Sequence, residues 1–100
     1  MSAEGTWNTT IDTPMGKQQG TLVFTEADGG WDGTSIAPDG EQTKLVNLEV
    51  NGDAVSWEQT VTKPMKLNVK VNITIDGDKF TGKAKPGMFP AVNMTGERVG

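Results

Sequence analysis

The stretch Lys66-Leu67-Asn68-Val69-Lys70-Val71-Asn72-Ile73-Thr74-Ile75 alternates polar and apolar residues without a break. Leu67, Val69, Val71, Ile73 and Ile75 therefore share one face, and the period of two is that of a half-buried β-strand. The run stops at Asp76-Gly77-Asp78, where the Asp-Gly pair tolerates the positive φ angles of a tight hairpin. Asp28-Gly29-Gly30 and Asn51-Gly52-Asp53 repeat that signal between runs rich in Val, Thr, Leu and Trp. A second set of breaks carries proline: Thr13-Pro14-Met15-Gly16, Ala37-Pro38-Asp39-Gly40, Lys63-Pro64-Met65 and Lys85-Pro86-Gly87-Met88. Seven breaks predict eight strands, at 5–13, 18–26, 31–36, 41–50, 54–62, 66–75, 79–84 and 90–98, and no segment has helical periodicity. Strands about 12 residues apart with short turns form an antiparallel meander, and eight of them lose their exposed edges by closing into an up-and-down barrel. A two-sheet sandwich is the alternative, but its Greek-key connections call for a longer loop.

Composition narrows the function. The chain has 100 residues, enough for one domain over 1–100, with 9 Lys+Arg against 13 Asp+Glu and a net charge of −4. Lacking Cys and His, it can form no disulfide, thiolate metal site, Ser-His-Asp triad or imidazole base, so Asp, Glu and Lys are the remaining proton movers. No metal or other cofactor is expected. The acidic balance without an arginine cluster argues against nucleic acid. Met1 to Gly5 reads as no signal peptide, and no run approaches a membrane span, so the expected address is the cytoplasm. The Asp-rich turns lack the spacing of a calcium loop.

The chain also repeats itself. Trp7, Thr10, Pro14 and Met15 recur as Trp57, Thr60, Pro64 and Met65, an offset of 50, and Ile11 and Val23 recur as Val61 and Ile73. The repeat points to an internal four-strand duplication and a barrel of approximate twofold symmetry.

Gly5-Thr6-Trp7 on the first strand and Gly96-Glu97-Arg98 on the last resemble the signature of the calycin superfamily of lipocalins, fatty-acid-binding proteins and avidins. The resemblance implies that Arg98 packs over Trp7 at a closed barrel end. The pattern of a Trp, a Thr-Pro-x-Gly turn, Gly-Asp turns and a closing Gly-x-Arg is also similar to uncharacterised bacterial lipocalin-like domains. The chain lacks the Tyr and His residues of avidins, so no avidin ligand is implied.

In a meander successive turns alternate between ends, so the proline loops share one end and the Asp-Gly turns share the other with both termini. The proline end carries Met15, Met65, Met88 and Phe89, and flexible methionines suit an apolar ligand of loose shape. Lys17, Lys63, Lys66 and Lys85 flank it, whereas Glu26, Asp28, Asp53, Asp76 and Asp78 gather at the tight turns. The expected interior is Val46, Leu48, Val55, Trp57, Leu67, Val69, Val71, Ile73 and Phe80, with Gln59 as a polar interruption. Such a barrel either fills itself with side chains or holds one small molecule.

These features predict non-catalytic binding of a small hydrophobic or amphiphilic molecule, with an anionic head group favoured by the lysines. Met15, Trp57, Gln59, Lys63, Met65, Met88 and Phe89 are the candidate binding residues. The alternative is a solid barrel acting as an interaction domain or homodimer, and a third reading is a cofactor-independent lyase or isomerase using Asp12 or Glu58.

Overall fold

The computed structural model describes residues 3–13, 16–27, 29–61 and 67–100, and these form nine antiparallel strands. They are β1 (Gly5–Thr13), β2 (Gly16–Ala27), β3 (Gly30–Ile36), β4 (Gln42–Lys44), β5 (Val46–Asn51), β6 (Ala54–Val61), β7 (Leu67–Asp76), β8 (Lys79–Pro86) and β9 (Val92–Arg98). The spatial order is β4-β3-β2-β1-β9-β8-β7-β6-β5, so first and last strands pair and the sheet curls on itself. Its two ends, β4 and β5, are separated in sequence by Leu45 alone. The result is a nearly closed all-β barrel in which β3 also touches β5 and β4 touches β6. Its 12.5 Å radius of gyration matches the roughly 13 Å of a compact 100-residue chain.

The structure corrects the count of eight strands. The run 41–50 is not one strand but two: β4 pairs with β3, placing Thr43 opposite Ser35, and β5 pairs with β6, placing Val50 opposite Val55. Between them the chain turns inward. The Leu45 N–H donates to the Gly33 carbonyl at 3.0 Å, and the Leu45 side chain fills the space a Cβ on Gly33 would need, with Cδ1 2.6 Å from that position. Asn47 then takes a left-handed backbone, φ 52°, inside a register shift between Val46 and Glu49. Asn tolerates this conformation better than most residues, and one such residue breaks the alternation. Leu48 consequently packs on the core while Val46 is 53 % exposed, which overturns its expected place inside.

Elsewhere alternation holds. Val69, Val71, Ile73 and Ile75 of β7 are buried, as are Val55, Trp57, Phe80, Ala84 and Met94. Trp7 and Phe80 meet with ring centroids 5.4 Å apart, tilted by 55°, and Phe24 meets Trp57 edge-on at 5.4 Å. These four rings fill the barrel from the tight-turn end.

That end is closed as the Gly-x-Trp and Arg pattern implies. Trp7 lies opposite both Leu22 and Arg98 in the sheet, and it is completely buried. The Arg98 guanidinium sits 4.5 Å from the ring centroid, within cation–π range. Arg98 Nε donates to Asp78 at 3.1 Å, Nη1 donates to the Glu4 carbonyl, and Trp7 Nε1 donates to the Ala3 carbonyl at 3.0 Å. Thr6 ties the C-terminus down, accepting from Val99 N at 2.8 Å and donating to Gly100 O at 3.0 Å. No helix among the described residues is long and apolar enough to cross a membrane.

Candidate functional site

The opposite end holds a cavity of about 370 Å³ that is open to solvent. Six strands and one loop build it. On β1, Trp7, Thr9 and Ile11 point inward by alternation, which carries Thr9 and Ile11 to the mouth; Thr9, 5 % exposed, is the buried polar residue among the described residues. Leu22 and Met94, both buried, contribute apolar lining from β2 and β9. Ser35 and Thr43 are cross-strand partners, so their side chains share the inner face and bring two hydroxyls to the lining. The loop between β3 and β4, held by hydrogen bonds from Ala37 N to Glu41 O and from Gly40 N to Ala37 O, both 2.8 Å, forms the remaining wall.

Gln59 completes the lining from β6. It lies two residues beyond Trp57, so the two side chains share the inner face, and Trp57 Nε1 donates to Gln59 Oε1 at 2.9 Å. The bond satisfies a buried indole that otherwise carries a desolvation cost. Trp57 is thus buried on the same face but outside the cavity lining, and Gln59 is the half-buried polar residue that β6 brings to the mouth.

The other candidates stand apart from this lining. Met88 and Phe89 lie in the turn after β8, which is tied by Gly87 N to Asn68 O at 2.8 Å and Phe89 N to Pro86 O at 2.9 Å. Met88 is 98 % exposed and Phe89 51 % exposed. Met15, Lys63 and Met65 fall outside the described residues, as does Lys66. Lys17 and Lys85 are exposed, and among the described residues the lining contains no lysine or arginine. Of this lining, sequence reasoning named Gln59, while Trp57 only hydrogen-bonds to it, and Thr9, Leu22, Ser35 and Thr43 were missed. Thr9 was readable from the Trp7-Thr9-Ile11 alternation, whereas Ser35 and Thr43 emerge only from the β3–β4 register.

The carboxylates considered for catalysis are placed differently. Asp12 is exposed near the end of β1. Glu58 accepts hydrogen bonds from Asn68 Nδ2 at 3.0 Å and Asn47 Nδ2 at 2.9 Å, and so clasps the left-handed Asn47 of β5 to β6 and β7. The Asn68 and Asn47 amides, aided by Lys70 and opposed by desolvation, hold its carboxyl below the usual glutamate range. A general base working near neutrality needs the reverse shift. No group of three carboxylates among the described residues is placed to hold a metal. Because the folded-state value is depressed, the Glu58 contribution to stability should be full above the ordinary glutamate pKa of about 4.3 and fade as pH falls through the folded value. Urea midpoints of the parent and Glu58→Gln measured from pH 7 to pH 3 check this: the parent's advantage should shrink on acidification. A gap independent of pH refutes the clasp.

No protein-family model matches the chain, and no curated protein sequence matches it. Solved structures do. A redesigned β-barrel superposes with a TM-score of 0.74 at 19 % identity, over 97 % of this chain and 91 % of that one. Fatty-acid-binding protein 1 of Echinococcus granulosus superposes with a TM-score of 0.57 at 14 % identity, over 98 % of each chain. At these identities the likeness is one of fold alone, a β-barrel.

Proposed function

We propose that this chain is a small lipocalin-like barrel that holds one hydrophobic or amphiphilic molecule in its proline-loop mouth without transforming it. The observation that carries the reading is the open cavity of about 370 Å³. Its size falls within the range of roughly 300–1,000 Å³ typical of small-molecule sites, and it joins apolar walls to a few convergent polar groups. Gln59 forms its β6 side and is held by the buried Trp57, with Met88 and Phe89 assigned to a neighbouring rim and Met15, Lys63 and Met65 to the entrance. The fold shared with a protein named for binding fatty acids supports a hydrophobic cargo. Action in the cytoplasm belongs to the same reading, as does an origin by duplication: the 50-residue offset carries β1 and β2 onto β6 and β7, with a buried inward Trp in each half.

A second reading, a solid barrel acting through its surface or as a homodimer, draws on the glycines. Space left by Gly33 is taken by Leu45 and Leu48, and that left by Gly96 by the Phe80 ring, so glycine creates no void at either position. The ligand is therefore confined to the mouth.

An anilinonaphthalene sulfonate titration separates the two readings. Binding at micromolar strength, about −8 kcal/mol, with altered tryptophan emission is expected. Thr43→Phe, which places a ring in the mouth, should abolish it, while Asp76→Asn at the far end should leave it intact. Equal loss from both variants, or no saturable binding by the folded parent, favours the solid interaction domain.

A further inference from the structure

Gln59 has a fixed polarity. An indole N–H only donates, so the atom it meets must be the amide oxygen, and the 2.9 Å bond from Trp57 Nε1 consumes Oε1. What remains is the NH2 group, two donors on a side chain that lines the cavity. Trp57 cannot rotate to release it, because its ring is 2 % exposed and packed edge-on against Phe24. The hydroxyls of Thr9 and Ser35 flank the same space, and they turn to donate or accept. Leu22 and Met94 face the rest of it.

From this geometry we infer that Gln59 is the specificity-determining residue of the mouth, and that the ligand it selects is an uncharged amphiphile bearing a hydrogen-bond acceptor, such as a ketone or ester oxygen, on an apolar chain. The inference deepens the binding function proposed above and rests on it. A carbonyl oxygen accepts from Gln59 Nε2 while its alkyl chain covers Leu22 and Met94. An ammonium head has no acceptor for that donor. A carboxylate accepts the bond too, but it must give up part of its hydration against a lining whose described groups beside Gln59 are the apolar Leu22 and Met94 and the neutral hydroxyls of Thr9 and Ser35.

Octan-2-one, octanoate and octylammonium, matched in chain length, distinguish these heads at pH 7. Binding is followed by tryptophan emission and by the Gln59 side-chain NH2 resonance of 15N-labelled protein. Octan-2-one should bind the parent about tenfold more tightly than either ion and shift that resonance. Gln59→Glu is the informative variant, because its carboxylate still accepts from Trp57 Nε1 and so preserves the fold while an oxygen replaces the NH2. It should lose about tenfold in octan-2-one affinity and gain octylammonium binding. Tighter binding of octanoate than octan-2-one by the parent, or unchanged octan-2-one affinity in a folded Gln59→Glu, overturns the selectivity while leaving the binding function standing. If none of the three binds and anilinonaphthalene sulfonate does not either, the binding function itself falls, and this inference with it.

Discussion

Replacing Trp7 by alanine should destabilise the protein by about 3–5 kcal/mol, the range for truncating a fully buried aromatic. No part of the ring reaches solvent, and three kinds of interaction converge on it. Phe80 packs at 5.4 Å, Ala3 accepts the indole N–H at 3.0 Å, and the Arg98 guanidinium covers the ring at 4.5 Å. Truncation would open a cavity among atoms held in place by the sheet, because Arg98 stays anchored by Asp78 and by the Glu4 carbonyl. A small domain has only about 5–15 kcal/mol in total, so the thermal midpoint should fall by more than about 12 °C, if the variant folds at all. Arg98→Lys keeps the charge but loses the planar stack, and should cost about 1 kcal/mol. Chemical denaturation of both variants measures these costs. A Trp7→Ala protein within 1 kcal/mol of the parent would mean that the closed end is not held by this contact.

The closed end was legible because its signals are local and doubled. A Trp on the first strand and an Arg on the last had to meet if the sheet closed, and the turn count placed both at one end without reference to either residue. The pairing of β1 with β9 is the single long-range fact needed, and it follows from closing a meander. The β7 alternation was equally readable, since five inward residues in ten tie the strand to one register. The missed feature was the break at Leu45. Val46-Asn47-Leu48-Glu49-Val50 alternates as regularly as β7 does. Its phase is reset by one left-handed Asn and by the Leu45 side chain seated over the sequence-distant Gly33. No local pattern carries that.

The mouth was legible by half for the same reason. Trp57 and Gln59 sit on one strand, so alternation alone put them on one face. Ser35 and Thr43 reach it through a short ladder whose register depends on where β4 ends, and β4 ends where Leu45 turns in. The methionines drew attention because they cluster by turn order, yet turn order locates a loop without orienting a side chain. Met88, almost wholly exposed, shows the difference.

Two strand glycines should prove as intolerant as Trp7, for reasons that can be told apart. A Cβ on Gly82 would stand 2.1 Å from the Asn72 carbonyl oxygen and 2.6 Å from Ile73 Cα, both backbone atoms of the neighbouring β7. A Cβ on Gly96 would stand 2.1–2.2 Å from Cε2 and Cζ of Phe80, which lies directly across the β8–β9 ladder. Neither contact can be relieved by a surface side chain. Phe80 is buried and backed by Trp7, and the β7 backbone is fixed by its ladder on both sides. Each glycine-to-alanine change should therefore cost about 3 kcal/mol, the upper part of the usual range for overpacking a core. The two differ in what relieves them. Phe80→Leu removes the ring that Gly96→Ala would strike, so the double variant should be more stable than the two single costs predict, with a coupling of about 1 kcal/mol or more. Gly82→Ala strikes backbone, so the costs of Phe80→Leu and Gly82→Ala should simply add. Additive costs for the Gly96 pair would show that the Phe80 ring does not stand over that glycine, and that the barrel is packed differently on this side.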